Sequence, residues 1–253
     1  MNDRSREGHP VEEDREQVYR SLWRSPHWGT AEPNDDERSR LTAITTVLTG
    51  CDLGDRPRIL DLGCGRGWLS HALARHGDVL GIDVVAASVE RARELFPDLT
   101  FEQLDTRRLL DSRGPGSFDL VVSSEVIEHV EDADKPAFVS DIYELLRPGG
   151  YAIITTPRGE LRAAWQRRSD WQQPTEEWVT EPDLDRLAAG VGFAVEQRAR
   201  AHVYPITPLG RVFASRVFRM LTRILPVLAR LTFRWRIYQV VLLRRPGNEL
   251  AHG

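Results

Sequence analysis

A doubly wound α/β fold, with helices on both faces of a mostly parallel sheet, is what this sequence predicts. Three observations carry that expectation. Short apolar runs alternate with helical patterns from residue 58 to residue 197. A glycine-rich turn, Gly63-Cys64-Gly65-Arg66-Gly67, directly follows the first of those runs. The 253 residues suit one such domain with additions, and 41% hydrophobic against 28% charged residues is the balance of an ordinary globular protein.

Residues 1–15 are polar, charged and aperiodic, which predicts disorder. A helix is expected over 16–24 and a loop over 25–37, where two prolines and a glycine interrupt the chain. The spacing of Leu41, Ile44, Val47 and Leu48 predicts a helix over 38–48. After a turn at 51–57, strands are expected at 58–62, 79–84, 100–104, 118–123, 151–156 and 194–197. Helices are expected between them at 68–75, 86–95, 135–146 and 181–189, the last with Thr180 as N-cap and Asp183 three residues on. Pro148 should stop the 135–146 helix and Gly149-Gly150 turn the chain into the next strand. Beyond 197 the alternation fails until a last apolar run at 238–243.

Two cysteines, Cys51 and Cys64, are too few for a disulfide framework, so a reduced cytoplasmic protein is expected. The first sixteen residues lack the apolar stretch of a secretory leader, and no run of about 18 apolar residues predicts a spanning helix. Net charge is -4, which does not suggest a polyanion binder. Its distribution is uneven: residues 197–248 hold eleven arginines, no lysine and no acid, so the remainder carries -15.

In open α/β sheets, ligands bind beyond the carboxyl ends of strands, where strand order reverses. Glycines there let the backbone turn tightly and approach a ligand closely, and the next helix points its N-terminal N–H groups at the turn. The spacing here, Asp61-Leu62-Gly63-Cys64-Gly65-Arg66-Gly67, resembles motif I of the class I S-adenosylmethionine-dependent methyltransferases. Asp83 at the end of the second expected strand, Asp105 after the third, FDLVVSSE at 118–125 and ELLRPGGYAIITTP at 144–157 follow in the order of that family. The resemblance covers roughly residues 58–200. It implies a Rossmann-like seven-stranded sheet with the last strand antiparallel, and S-adenosylmethionine as cofactor. It further implies that Gly63, Cys64 and Gly65 lie against the methionine part, and that Asp61 orients the loop or the amino group. Asp83 would take the ribose hydroxyls beside Val84, and Asp105 the adenine amine beside Thr106. Ser124 and Arg40 complete the implied cofactor set, Arg40 on the cofactor carboxylate.

The segment SSEVIEHVED lacks the Asn-Pro-Pro-Tyr-type motif often carried by amino-methylating enzymes of this class. EVIEHV resembles instead the ubiquinone-biosynthesis O-methyltransferases and the small-RNA 2′-O-methyltransferases. Glu125, Glu128 and His129 match their Glu-x-x-Glu-His pattern and share one face of a helical turn. Such a trio could hold Mg²⁺ or Mn²⁺ beside the transferred methyl. Those families supply a further histidine downstream, which WQQPTEEWVTEPDL lacks; Gln173 or Glu176 stand there instead. Without a metal, His129 could act alone as general base.

Acceptor identity should come from outside the core. Trp23, His27 and Trp28 lie before it, and Trp165, Trp171 and Trp178 in the 157–179 connection could wall a pocket. Residues 208–236 combine recurring apolar positions with arginines on one face, which suits peripheral contact with an anionic membrane, a partner subunit, the core itself or, for the basic face, RNA phosphates, though no separate RNA-binding module accompanies it. Three regions are expected: N-terminal extension and cap helices (1–50), a methyltransferase core (51–200), and an arginine-rich helical insertion with the last strand (201–253). The expected activity is O-methylation of a small-molecule or lipid-linked metabolite by a monomer or homodimer, with no nucleic-acid partner. C-methylation of a quinone or polyketide precursor and a non-catalytic cofactor-binding module are the alternatives.

Overall fold

Ile59 and Asp61 point to one side of the first strand and Leu60 and Leu62 to the other, and all four are buried. Burial on both sides is the signature of a strand inside a sheet with helices on each face. The computed structural model describes residues 10–26, 28–167, 176–203 and 236–247. Within them lie β1 (Arg58–Leu62), β2 (Asp78–Asp83), β3 (Thr100–Gln103), β4 (Phe118–Ser124), β5 (Leu146–Pro157), β6 (Ala194–Val203) and β7 (Arg236–Arg244). They form one sheet in the order β3-β2-β1-β4-β5-β7-β6. The first five are parallel, and β7 runs antiparallel to both β5 and β6. Strand order reverses between β1 and β4, which opens a crevice above their carboxyl ends.

The helices are α1 (Pro10–Leu22), α2 (Asp35–Leu48), α3 (Trp68–Leu73), α4 (Ala86–Leu95), α5 (Thr106–Arg113), α6 (Lys135–Leu145), α7 (Arg162–Gln166) and α8 (Glu181–Gly190). One core cluster joins Leu60, Leu62 and Ile82 to Leu109 of α5, Ile142 of α6 and Leu184 of α8. On the opposite face Ile59, Leu120 and Val122 meet Ile44 and Val47 of α2 and Leu69 and Leu73 of α3. A third cluster, Val89, Ala92, Phe96 and Phe101 with Cys64, seats α4.

The expected sheet is found, with corrections at several elements. Disorder over 1–15 and a helix from 16 give way to α1 starting at Pro10, where a proline at the first helical position costs nothing; residues 1–9 lie outside the described residues. The loop expected over 25–37 ends sooner. Asn34 accepts from the N–H groups of Asp36 and Glu37 while Glu37 accepts from that of Asn34, a capping box that starts α2 at Asp35. Helix α5 was not expected and is capped by Asp105.

The Pro148-Gly149-Gly150 turn is instead an irregularity inside β5. Leu146 pairs with Phe118 and Tyr151 with Leu120, so four residues bulge opposite Asp119. Gly149 N–H donates to the Arg245 carbonyl and Arg245 N–H to that of Gly150. Strands β6 and β7 are also longer than expected. Because β7 lies between β5 and β6, the last strand belongs to the core sheet, and Arg236, the end of the expected amphipathic stretch, opens β7. The rest of that stretch up to 235, with His27, Trp171 and Gln173, lies outside the described residues. No helix among the described residues is long and apolar enough to cross a membrane.

Candidate functional site

The glycine turn leaves β1 at the crevice. Gly63, Gly65 and Gly67 have φ of 74°, 53° and 84°, left-handed backbone in which a Cβ is unfavourable. A Cβ at Gly63 would also lie 2.3 Å from Val126 Cγ2, so the turn touches the exit of β4. The N–H groups of Gly63 and Cys64 both donate to the Ile82 carbonyl, at 2.8 and 2.9 Å. That of Gly65 donates to Asp83 Oδ2 at 2.9 Å. The second Asp83 oxygen accepts from Val85 N–H at 2.9 Å. Burial pushes the Asp83 carboxyl up, while those two N–H bonds pull it down. Each oxygen keeps a lone pair for a further donor.

Asp61 is buried beneath the turn, where Oδ2 accepts from Ser70 Oγ of α3 at 2.5 Å. Burial lifts its pKa to about 7 against the Ser70 bond, and Asp83 adds to the rise. The Cys64 side chain points into the α4 cluster, and burial pushes its thiol well up.

Helix α1 lies across this end of the sheet. Glu16 accepts from the free N–H groups of Ala86 and Ala87 at the start of α4 (2.6 and 3.0 Å), a favourable place for a carboxylate. Trp23 Nε1 donates to Ser88 Oγ at 3.0 Å, and its ring lies 3.5 Å from where a Cβ on Gly65 would sit. Burial and then the charge of Asp83 lift the Tyr19 pKa to about 12. Sequence reasoning missed Glu16 and Tyr19; the acidic run after Pro10 was the available signal of a helix.

At the exit of β4 a second polar group gathers. Glu125 has φ of 60°, one of two non-glycine residues with positive φ among those described, a conformation that accumulates at functional sites. Its carboxylate pairs with Arg40 of α2 at 3.1 Å and accepts from Thr155 Oγ1 at 2.9 Å; Ser124 Oγ lies 2.9 Å from the same Thr155 hydroxyl. Arg40 is buried and stacks 4.9 Å from the centre of the Tyr238 ring. Tyr238 in turn donates to Asp36 at 2.9 Å. Glu128 accepts from Thr156 Oγ1 at 3.0 Å, and burial raises its pKa to about 7. Half-buried His129 follows in the same 3₁₀ turn. Sequence reasoning missed Thr155, Thr156 and Tyr238: the parallel pairing of β5 with β4 sets Thr155 opposite Ser124, and the antiparallel pairing of β7 with β5 brings Tyr238 to the same end.

The structure therefore brings Gly63, Gly65 and Asp83 together on one side of the crevice and Arg40, Ser124, Glu125 and Glu128 on the other. The metal trio does not converge among the described residues. Glu125 turns to Arg40 and Glu128 to Thr156, and among the described residues no three His, Cys, Asp or Glu side chains converge as a metal site. Asp105 and Thr106 start α5: Asp105 Oδ1 caps the helix through Arg108 N–H at 2.7 Å, and Thr106 Oγ1 donates to Asp141 at 2.7 Å. Val84 is 51% exposed, free to meet a flat apolar ring. Of the tryptophans in the 157–179 connection, Trp165 and Trp178 pack 6.0 Å apart.

A parallel sheet with a glycine turn and an acid at adjacent strand ends defines a nucleoside-cofactor fold, and comparison with known proteins gives its class. Residues 59–150 match a methyltransferase domain family. Over 188 residues the chain is 32% identical to a ubiquinone biosynthesis O-methyltransferase of Alkalilimnicola ehrlichii, covering 65% of this chain and 74% of that protein. A ubiquinone biosynthesis O-methyltransferase of Psychrobacter arcticus is 31% identical over 59% of this chain and 64% of its own length, just under two thirds. The N-methyltransferase NodS of Bradyrhizobium japonicum, in complex with S-adenosyl-L-homocysteine, superposes with a TM-score of 0.63 at 17% identity, covering 91% of this chain and 97% of that one; it carries the fold alone.

The chain belongs to the class I S-adenosylmethionine-dependent methyltransferases. It is an enzyme of that class, with S-adenosylmethionine as cofactor. The residues present fit that cofactor: the turn is free of side chains at its three glycines, and Asp83 retains acceptor capacity. Arg40 Nε has no hydrogen-bond partner among the described residues.

Proposed function

We propose that the protein methylates an oxygen of a small-molecule or lipid-linked acceptor. The observation that carries this reading is the group after β4, where the partly buried Glu125, the buried Glu128 and the half-buried His129 flank Val126, the residue that meets the glycine turn. The names of the relatives support oxygen as the acceptor atom. The cofactor supplies an activated methyl on a sulfonium, so positioning provides much of the rate. The chain's own residues do the rest. Asp83 accepts from the ribose hydroxyls, and the glycine turn lies against the methionine part. Arg40, with Nε uncommitted, offers a donor to the cofactor carboxylate. His129 takes the acceptor proton. Glu128, whose pKa burial raises to about 7, precedes it in the same 3₁₀ turn. A lipid-linked acceptor would be presented through peripheral membrane contact by 208–236, and cosedimentation with anionic vesicles tests that contact.

Incubation with labelled S-adenosylmethionine and a panel of phenols and catechols with and without alkyl tails tests the chemistry. An O-methyl product, with His129→Ala about 10²–10⁴-fold slower but binding S-adenosylhomocysteine normally, is the expected outcome. A carbon- or nitrogen-methylated product, or full activity in His129→Ala, would overturn the corresponding assignment.

A further inference from the structure

Arg66 is the long side chain of the glycine turn, and it is 1% exposed. Its guanidinium holds the segment before β1. Nη1 and Nη2 donate to the two Glu37 carboxylate oxygens at 2.6 and 2.8 Å. Nε donates to the Thr30 carbonyl at 2.6 Å and Nη2 to that of Glu32 at 3.3 Å. Its guanidinium carbon lies 6.0 Å from the centre of the Trp23 ring. One side chain of the turn thus reaches Trp23, the residue after α1, as well as the 29–34 connection and α2. Burying a charge pair is costly, and an apolar pair of similar volume would often hold a core as well. What the fork provides that apolar residues cannot is a fixed orientation between the pieces it ties.

The same pieces cover the turn from outside. Trp23 sits over Gly65 and is tied to Ser88, and Glu16 closes the N-terminus of α4. Glu37 is also the third residue of α2 and closes the capping box that starts it, one turn before Arg40. A shift of the turn therefore moves the cap, and opening the cap pulls on the turn.

We infer that Arg66 is a positioning residue that makes the cofactor turn and the N-terminal cap, residues 16–40, one unit, so that cofactor binding and cap closure occur together. This rests on the reading that the turn holds S-adenosylmethionine. Arg66 touches neither cofactor nor acceptor in this account; it acts through the turn and through Glu37.

The test is hydrogen exchange of residues 16–40 with and without S-adenosylhomocysteine. It compares wild type with the Arg66→Met/Glu37→Gln double variant, which leaves no unpaired buried charge and keeps a side-chain oxygen at 37 to accept from the Asn34 N–H. In wild type the ligand should slow exchange of the cap about tenfold, within the usual range of coupling between sites. The double variant should still bind the ligand in calorimetry while its cap exchange stays unchanged. Arg66→Lys, which keeps the charge but loses the fork, should recover part of the effect, and Arg66→Gln none. Equal protection of the cap in wild type and the double variant would overturn the coupling. If the double variant does not melt cooperatively, Arg66→Gln decides: protection equal to wild type overturns the coupling, and its loss with retained binding supports it. Wild type that binds the ligand without any change in cap exchange would overturn the coupling alone. Folded wild type that does not bind it would overturn the cofactor reading and the coupling with it.

Discussion

Gly63→Ala perturbs the point where the cofactor turn touches the exit of β4. Two costs can be separated. A left-handed φ of 74° costs an alanine about 1–2 kcal/mol relative to glycine. The new Cβ would lie 2.3 Å from Val126 Cγ2, so the turn and the Val126 side chain must part by more than an ångström. Overpacking of that kind costs about 1–3 kcal/mol. The expected loss of stability is therefore about 2–5 kcal/mol, measured by urea unfolding with an unchanged m-value. Val126→Ala removes the clashing methyl, because its own Cβ is already 3.4 Å away, close to ordinary contact. In the double variant only the backbone cost should persist, so the two changes couple favourably by about 1–3 kcal/mol. Strict additivity in the cycle would refute the close approach of the two strand exits, and with it the shape of the crevice.

Arg40→Leu should destabilise by about 3 kcal/mol, because it leaves the partly buried Glu125 carboxylate without its ion-pair partner; Arg40→Leu/Glu125→Leu should recover much of this in thermal melts, and a double variant no better than the single would contradict the pairing. Asp61→Asn addresses pH. The folded-state pKa of Asp61 is raised from 3.8 to about 7, so the folded protein binds the extra proton and ionisation opposes folding. The contribution of Asp61 is fully present below about pH 4 and lost as pH rises toward 7. Relative to Asp61→Asn, wild-type stability should fall by about 1 kcal/mol per pH unit across that window, and parallel pH profiles would sink the assignment.

The sheet was legible because its strands are buried on both faces and so read as short apolar runs, and because glycine and acid spacing marks the turn after β1. What failed to read from sequence has a physical cause in each case. The Pro148-Gly149-Gly150 run carries the composition of a turn, but here it bulges within a ladder held by Arg245. Helix α2 starts early because Asn34 and Glu37 cap one another, which a run of polar residues conceals. At the site, Asp83 and the glycines could be placed from local spacing alone. Glu125 and Arg40 could not be paired that way, since their meeting depends on α2 crossing the sheet from outside the motif. Nothing in the spacing of the motif sets Arg66 apart, and only its burial against Glu37 distinguishes it.

The central claim is that the crevice between β1 and β4 holds S-adenosylmethionine through the glycine turn and Asp83. Calorimetric titration of the purified protein with S-adenosylhomocysteine, repeated on Asp83→Ala, tests it most directly. The account predicts binding by wild type with one site per chain, and at least about tenfold weaker binding by Asp83→Ala, the loss expected when hydrogen bonds to a charged group are removed. Folded wild type that does not bind, or an Asp83→Ala variant that binds as tightly, would contradict it.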